Sequence, residues 1–236
     1  MRSQYRAVMS LAQNTFLLGL LIRKKMRARI IIVSDFNQTS LAYIWLRAFS
    51  QRGILTMILS FSQLSREARK FQDYLTRPLY VVALATKETM DEFSTATRQI
   101  DMSLSVWLLM FLPYRENPMR DICQNPVGNP FNLMFNTEML VLCYDLPLLT
   151  EWYALRDNQT RVFNLATWQT GQGLKLKTTS SLYARRNNTF GQTMRISIVQ
   201  VNVTTNANEY LLSQRIIIFC LKITIDSNSR SLRSSR

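Results

Sequence analysis

Along the first half of the chain, apolar runs alternate with segments of helical spacing. Arg29–Ser34 (RIIIVS) is a continuous β-branched run, the pattern of a strand buried on both faces. Thr39–Arg52 follows, with Leu41, Ile44, Trp45, Ala48 and Phe49 at helical spacing and Gly53 as a stop. Ile54–Ser60 reads as a second strand. Gln63–Thr76 reads as a second helix, with Leu64, Ala68, Phe71 and Leu75 aligned, Ser65, Arg66, Glu67, Arg69 and Lys70 toward solvent, and Pro78 beyond its end. Leu79–Ala85 (LYVVALA) is a third strand, Lys87–Ile100 a third helix and Ser105–Leu112 (SVWLLMFL) a fourth strand. This alternation predicts an α/β domain with a mostly parallel sheet flanked by helices.

After Asn117-Pro118 the pattern changes. Pro126, Gly128 and Pro130 mark a loop, and short extended pieces follow at Asn132–Phe135, Met139–Tyr144, Thr150–Leu155, Val162–Thr167 and Gly173–Lys177. Their turn spacing predicts antiparallel pairing. Ser181–Val199 (SLYARRNNTFGQTMRISIV) reads as a basic turn that launches another strand, Thr193–Val199. The final stretch, Ile216–Arg236, opens with the apolar run IIIFCLKITI and decays into Ser and Arg. It has no evident fold partner, and residues 215–236 are expected to be a disordered basic tail.

At 236 residues, the chain is long enough for one large domain or one domain plus a fragment. Only 6 Gly and 6 Pro occur, which argues against a low-complexity or collagen-like chain. The net charge of +14 is concentrated at the ends. Residues 1–34 carry seven bases and no acid, and residues 215–236 carry five bases against Asp226, which leaves +3 for residues 35–214. Basic ends around a near-neutral body argue against a nucleic-acid partner, which calls for a basic patch on the folded surface.

No histidine is present, which removes Ser-His-Asp and Cys-His catalysis, histidine zinc ligation and histidine pH switching. Gly171 and Gly173 stand alone, without the Lys-Ser/Thr of a phosphate loop. Asp35 is the one acid at a predicted strand carboxyl end, and it suits a turn or helix cap better than catalysis. In EWYAL (Glu151–Leu155), a glycosidase-type acid would need a second carboxylate about 5–10 Å away, with Asp145 and Asp157 nearest in sequence. A half-buried edge or interface strand carrying Trp152 and Tyr153 is the preferred reading. Lys175, Lys177, Arg185 and Arg186 form a basic cluster, read as a solvated linker with an anion site as the alternative. No catalytic residue, metal or cofactor is expected.

No run of 18 apolar residues exists, so no transmembrane helix is expected. Thr15–Ile22 (TFLLGLLI) is similar to a short signal-peptide core, but Arg23-Lys24-Lys25 stands where a cleavage site would be. Residues 1–28 therefore read as a degraded signal peptide, a mitochondrial presequence or an errant first exon. Four Asn-x-Ser/Thr sequons, at Asn37, Asn158, Asn187 and Asn202, fall at predicted turns or in polar stretches and favour a lumenal chain. Cys123 and Cys143 lie 20 residues apart around the Pro-Gly loop, and Cys220 stands apart. The two readings are a Cys123–Cys143 bridge, which the sequons favour, and two buried reduced thiols.

From Cys123 onward, CQNPVGNPFNLMFNTEMLVLC, EWYAL, Trp168, Gly173-Leu174 and LYARRNNTFGQTMRI follow in order. Together these resemble the N-terminal region of insect antennal ionotropic receptors, the variant ionotropic glutamate receptors. The resemblance spans about Ile30–Val203 and is most specific over Cys123–Arg195. It implies a subunit of a ligand-gated cation channel that works with co-receptor subunits in olfactory membranes. It also implies a periplasmic-binding-like half over residues 29–180. Residues 181–214 would then be a linker and the first strand of a truncated ligand-binding domain, starting near Met194–Ile198. The second lobe, transmembrane helices and pore loop of that family have no counterpart in the chain, nor does its ligand-contacting arginine. The expectation is an extracellular N-terminal domain for subunit assembly, placed on the outer side of the cell membrane, with a small-molecule odorant bound only by the full-length receptor. The apolar faces carrying Trp45, Phe49 and Phe71 are the expected packing surfaces. The rival readings are a stand-alone small-molecule module of periplasmic-binding type and a carboxylate-based or mitochondrial enzyme.

Overall fold

A computed structural model of the chain describes residues 29–35, 39–71, 77–112, 119–143, 146–156, 158–169, 173–188, 193–201 and 216–224, with residues 39, 40, 156, 193–201 and 216–224 as backbone only. The chain divides into two units, Met1–Thr179 and Ser180–Arg236.

The first unit is built on one eight-stranded sheet. Its strands are β1 (Ile30–Val33), β2 (Thr56–Leu59), β3 (Leu79–Leu84), β4 (Val106–Phe111), β5 (Glu138–Cys143), β6 (Leu148–Arg156), β7 (Gln159–Gln169) and β8 (Gly173–Leu176). Their order is β2-β1-β3-β4-β5-β6-β7-β8. Helices α1 (Thr39–Ser50), α2 (Phe61–Lys70) and α3 (Lys87–Thr97) connect the first four strands, and α4 (Arg120–Gln124) follows β4. The α/β class is as expected, but the mostly parallel sheet is not. Strands β1–β5 pair in parallel, while β5–β6, β6–β7 and β7–β8 pair antiparallel, so the sheet is mixed. Chain length explains the change. The connections from Cys143 to Leu148, Arg156 to Gln159 and Gln169 to Gly173 are too short for the crossover of about a dozen residues that parallel pairing requires. The expected antiparallel pieces are therefore not a separate layer; they extend the parallel sheet from its β5 edge.

Both faces of β1, β3 and β4 are buried, which is why these segments are continuously apolar. One face carries Ile31, Val33, Tyr80, Trp107, Leu109 and Val141, packed with Leu64 and Ala68 of α2 and Phe93 of α3. The other carries Ile30, Ile32, Val81, Leu108 and Leu140, with Ala42, Trp45 and Phe49 of α1. Trp45 and Phe49 are thus fully buried in the unit's own core, and Phe71 packs partly buried against the opposite face. The expectation of a subunit-packing surface is corrected for Trp45 and Phe49, whose apolar area is covered within the unit, while Phe71 is half-buried. Ile44, expected on the buried face of α1, is 43% exposed.

Helix α3 begins with a reciprocal cap. Thr86 Oγ1 accepts from the Thr89 N–H at 3.3 Å, and the Thr86 N–H donates to Thr89 Oγ1 at 3.1 Å. Helix α2 ends at Lys70, short of the expected Thr76; residues 72–76 lie outside those described.

Asn132–Phe135 is not a strand. Asn132 has φ 51°, a left-handed conformation incompatible with extension. The Leu133 backbone is satisfied by one side chain: its N–H donates to Asn129 Oδ1 at 2.8 Å and its carbonyl accepts from Asn129 Nδ2 at 2.9 Å. This clip sends Phe131 and Leu133 into the core, where the Phe131 ring lies 5.0 Å from Phe93 and 6.3 Å from Trp152. The EWYAL segment is corrected as well. It lies in β6, an interior strand between β5 and β7, with Glu151 and Trp152 at 0% exposure and Tyr153 at 7%.

In the second unit, Leu182–Arg185 forms a helical turn, α5, so the expected basic turn is helical. Strand β9 (Thr193–Val201) pairs antiparallel with β10 (Ile216–Thr224), from Ile216↔Val201 to Thr224↔Thr193. The apolar head of the expected tail therefore has a strand partner. No helix among the described residues is long and apolar enough to cross a membrane.

Candidate functional site

In open α/β sheets, ligands bind outside the strand carboxyl ends, where neighbouring connections leave on opposite faces. The order β2-β1-β3-β4-β5 places that point between β1 and β3. From β1 the chain passes through α1 on one face, and from β3 through α3 on the other. A groove of about 950 Å³ opens beside this position. Asp35 follows β1 and Ser60 follows β2 at its base, and α2 and α3 form its walls.

The walls differ in charge. Arg66 and Arg69 lie on α2, at i, i+3; Glu88, Asp91 and Glu92 lie on α3, at i, i+3, i+4, and all five are exposed. Arg66 pairs along its own helix with Glu67 at 3.2 Å. Among the described residues, no ion pair joins the two arginines to the three acids. Glu88 sits in the first turn of α3, and a hydrogen bond from the Thr86 hydroxyl, together with its own backbone N–H, holds its carboxyl below the usual range. Glu67 is held low chiefly by its hydrogen bond with Lys70, at 2.9 Å. The groove therefore offers fixed charge of both signs. Asp35 lies at its base, half-buried. Among the described residues, no group of three or more acids or cysteines is placed to hold a metal ion.

Cys123 and Cys143 form a disulfide with Cα atoms 5.9 Å apart, joining α4 to the end of β5. Asn158 is exposed in the turn between β6 and β7, and Asn187 is exposed after α5; Asn37 and Asn202 lie outside the described residues. Asp145 and Asp157, the proposed companions of Glu151, also lie outside them. Lys175 and Lys177 are exposed in the first unit, while Arg186, in the second, is 1% exposed, which is not the setting of a solvated linker residue.

Sequence reasoning singled out Asp35 but passed over the groove walls. The usable signal was there: like charges at i, i+3 and i, i+4 on two consecutive helices. What was missing was that the two helices share one face of the sheet. No family model, no curated protein and no solved structure matches the chain.

Proposed function

We propose that this chain is the extracellular N-terminal region of a chemosensory ionotropic receptor subunit, acting in subunit assembly and in support of a ligand-binding domain. The observation that carries this reading is the Cys123–Cys143 disulfide, which belongs to an oxidising compartment. The exposed sequon residues Asn158 and Asn187 agree with that compartment. The parallel order β2-β1-β3-β4-β5 suits one half of a periplasmic-binding-like domain. On this reading the partners are co-receptor subunits at the outer face of the cell membrane, and an odorant is bound by the full-length receptor. With Trp45 and Phe49 committed to the core, pairing would use other surfaces. Sequencing the genomic DNA downstream of the Val203 codon tests the proposal. An in-frame second lobe with transmembrane segments is expected, and their absence refutes the receptor reading.

The groove between α2 and α3 favours a second reading, a small-molecule binding module of periplasmic-binding type that acts by itself. Thermal-shift screening with amino acids and short carboxylic acids separates the two. Saturable stabilisation by one of them supports the module; a flat profile across the series counts against it.

A further inference from the structure

We infer that Asn158 carries an N-linked glycan whose first sugar covers the tip of the disulfide-closed loop. The inference rests on the extracellular reading above and adds a place and a role for the sugar. Asn158 is exposed in the tight turn between β6 and β7. The third residue of its sequon, Thr160, is half-buried, and both its N–H and its hydroxyl donate to the Gly128 carbonyl, each at 2.8 Å. That pair of bonds draws the apex of the Pro126–Gly128 loop against the hairpin. Gly128 lies in ordinary van der Waals reach of the turn, since a Cβ added there would stand 3.9 Å from the Asn158 carbonyl oxygen, and its φ of 70° favours glycine.

Next to Gly128, Val127 is 89% exposed, the most exposed large apolar side chain among the described residues. An apolar group thus stands in water one residue from the glycine that docks on the sequon turn, in a loop closed by Cys123–Cys143. A pyranose ring presents C–H groups on one face and hydroxyls at its rim. Laid over Val127, it removes apolar area from water while keeping its own polar groups hydrated.

The chemistry is a transfer without redox change. The Asn158 side-chain nitrogen forms a bond to C1 of the reducing-end N-acetylglucosamine of a lipid-linked oligosaccharide, the co-reactant of the secretory pathway. The bond from C1 to the lipid pyrophosphate oxygen breaks, the pyrophosphate leaves with the electron pair, and one amide proton is released. Because the Thr160 hydroxyl is committed to Gly128 in the folded chain, the transfer precedes docking of the loop.

The test directs the full chain into the secretory pathway of insect cells as wild type, Asn158→Gln and Asn187→Gln, and follows mobility before and after peptide N-glycosidase. The wild type is expected to lose at least one step more than Asn158→Gln, and Asn187→Gln to retain the Asn158 step. Elastase, which cuts after small aliphatic residues, reads the shield at Val127. The nick separates on a gel only after reduction, because Cys123 and Cys143 hold the two sides together. Faster nicking is expected in Asn158→Gln and also in folded wild type stripped of its sugar, a comparison that needs no variant to fold. A mobility pattern unchanged by Asn158→Gln, or nicking at the same rate with and without the sugar, overturns this proposal alone. A wild type with no sugar at any site overturns it together with the extracellular reading.

Discussion

Reduction of the Cys123–Cys143 bridge is expected to lower the stability of the first unit by about 3.3 kcal/mol. The bridge closes a sequence separation of 20 residues. In the chain-entropy description, a loop of that size removes about 11 cal/mol/K from the unfolded ensemble, which gives the figure above at 25 °C. What the cross-link retains is specific: the closed segment includes Phe131 and Leu133, which the folded unit needs in its core against Phe93 and Trp152. For a chain of this size the loss corresponds to about 7–13 °C in Tm. All four tryptophans, Trp45, Trp107, Trp152 and Trp168, lie in this unit, so their fluorescence during urea unfolding reports on it directly. The oxidised protein should unfold at the higher urea midpoint, and the reduced protein should show a steeper slope because its unfolded state exposes more surface. Equal midpoints would refute the entropic argument. So would a Cys123→Ala/Cys143→Ala variant that still loses stability on adding reductant, since the thiol would then be acting elsewhere.

Three further outcomes are expected. Trp152→Ala should cost about 3–5 kcal/mol, because a fully buried ring packed between Phe111 and Phe131 leaves a cavity; a loss under 1 kcal/mol by urea titration would place Trp152 outside a close-packed core. Thr86→Ala should cost about 1 kcal/mol through the α3 cap and move the Glu88 titration upward. With its folded value depressed, Glu88 contributes stability that is full above the unfolded value of about 4.3 and fades as pH falls through the folded value, so an NMR titration of Glu88 that ignores Thr86→Ala would contradict this assignment. Burial, with a smaller contribution from Glu67, pushes the Tyr80 phenol far above its ordinary range. Its contribution is present below about 10 and lost as pH rises, so Tyr80→Phe should unfold at a higher pH than wild type, whereas equal alkaline midpoints would show that Tyr80 does not govern the transition.

The parallel half of the fold was readable because each of its segments carries its own instruction. Leu79–Leu84 and Val106–Phe111 are apolar at every position, as strands covered on both faces must be. Helix α1 was visible from Trp45 and Phe49, although Ile44 at the same spacing faces water. The second half was less legible. Asn132–Phe135 reads as extended by composition, but the Asn129 side chain takes over the hydrogen bonds that a strand would offer to a neighbour. EWYAL is mixed in polarity, as an edge strand would be, yet it lies between β5 and β7, and Glu151 and Trp152, on opposite faces, are both fully buried.

The groove shows the same division. The charges of α2 and α3 are written in the chain, and the i, i+3 spacing of Arg66 and Arg69 puts both on one side of a helix whatever else happens. That a basic wall faces an acidic one follows only from the order β2-β1-β3-β4, in which β2 to β3 and β3 to β4 step the same way across the sheet and so set both helices over one face. Local sequence determined the parallel strands, the three connecting helices and the sequons, because those depend on neighbours a few residues away. The tertiary structure alone decided the mixed eight-stranded sheet, the burial of Glu151, the Cys123–Cys143 bridge over two open redox readings, and the docking of Thr160 on Gly128. Each of these joins residues whose separation along the chain carries no information about their distance in space until the sheet order is known.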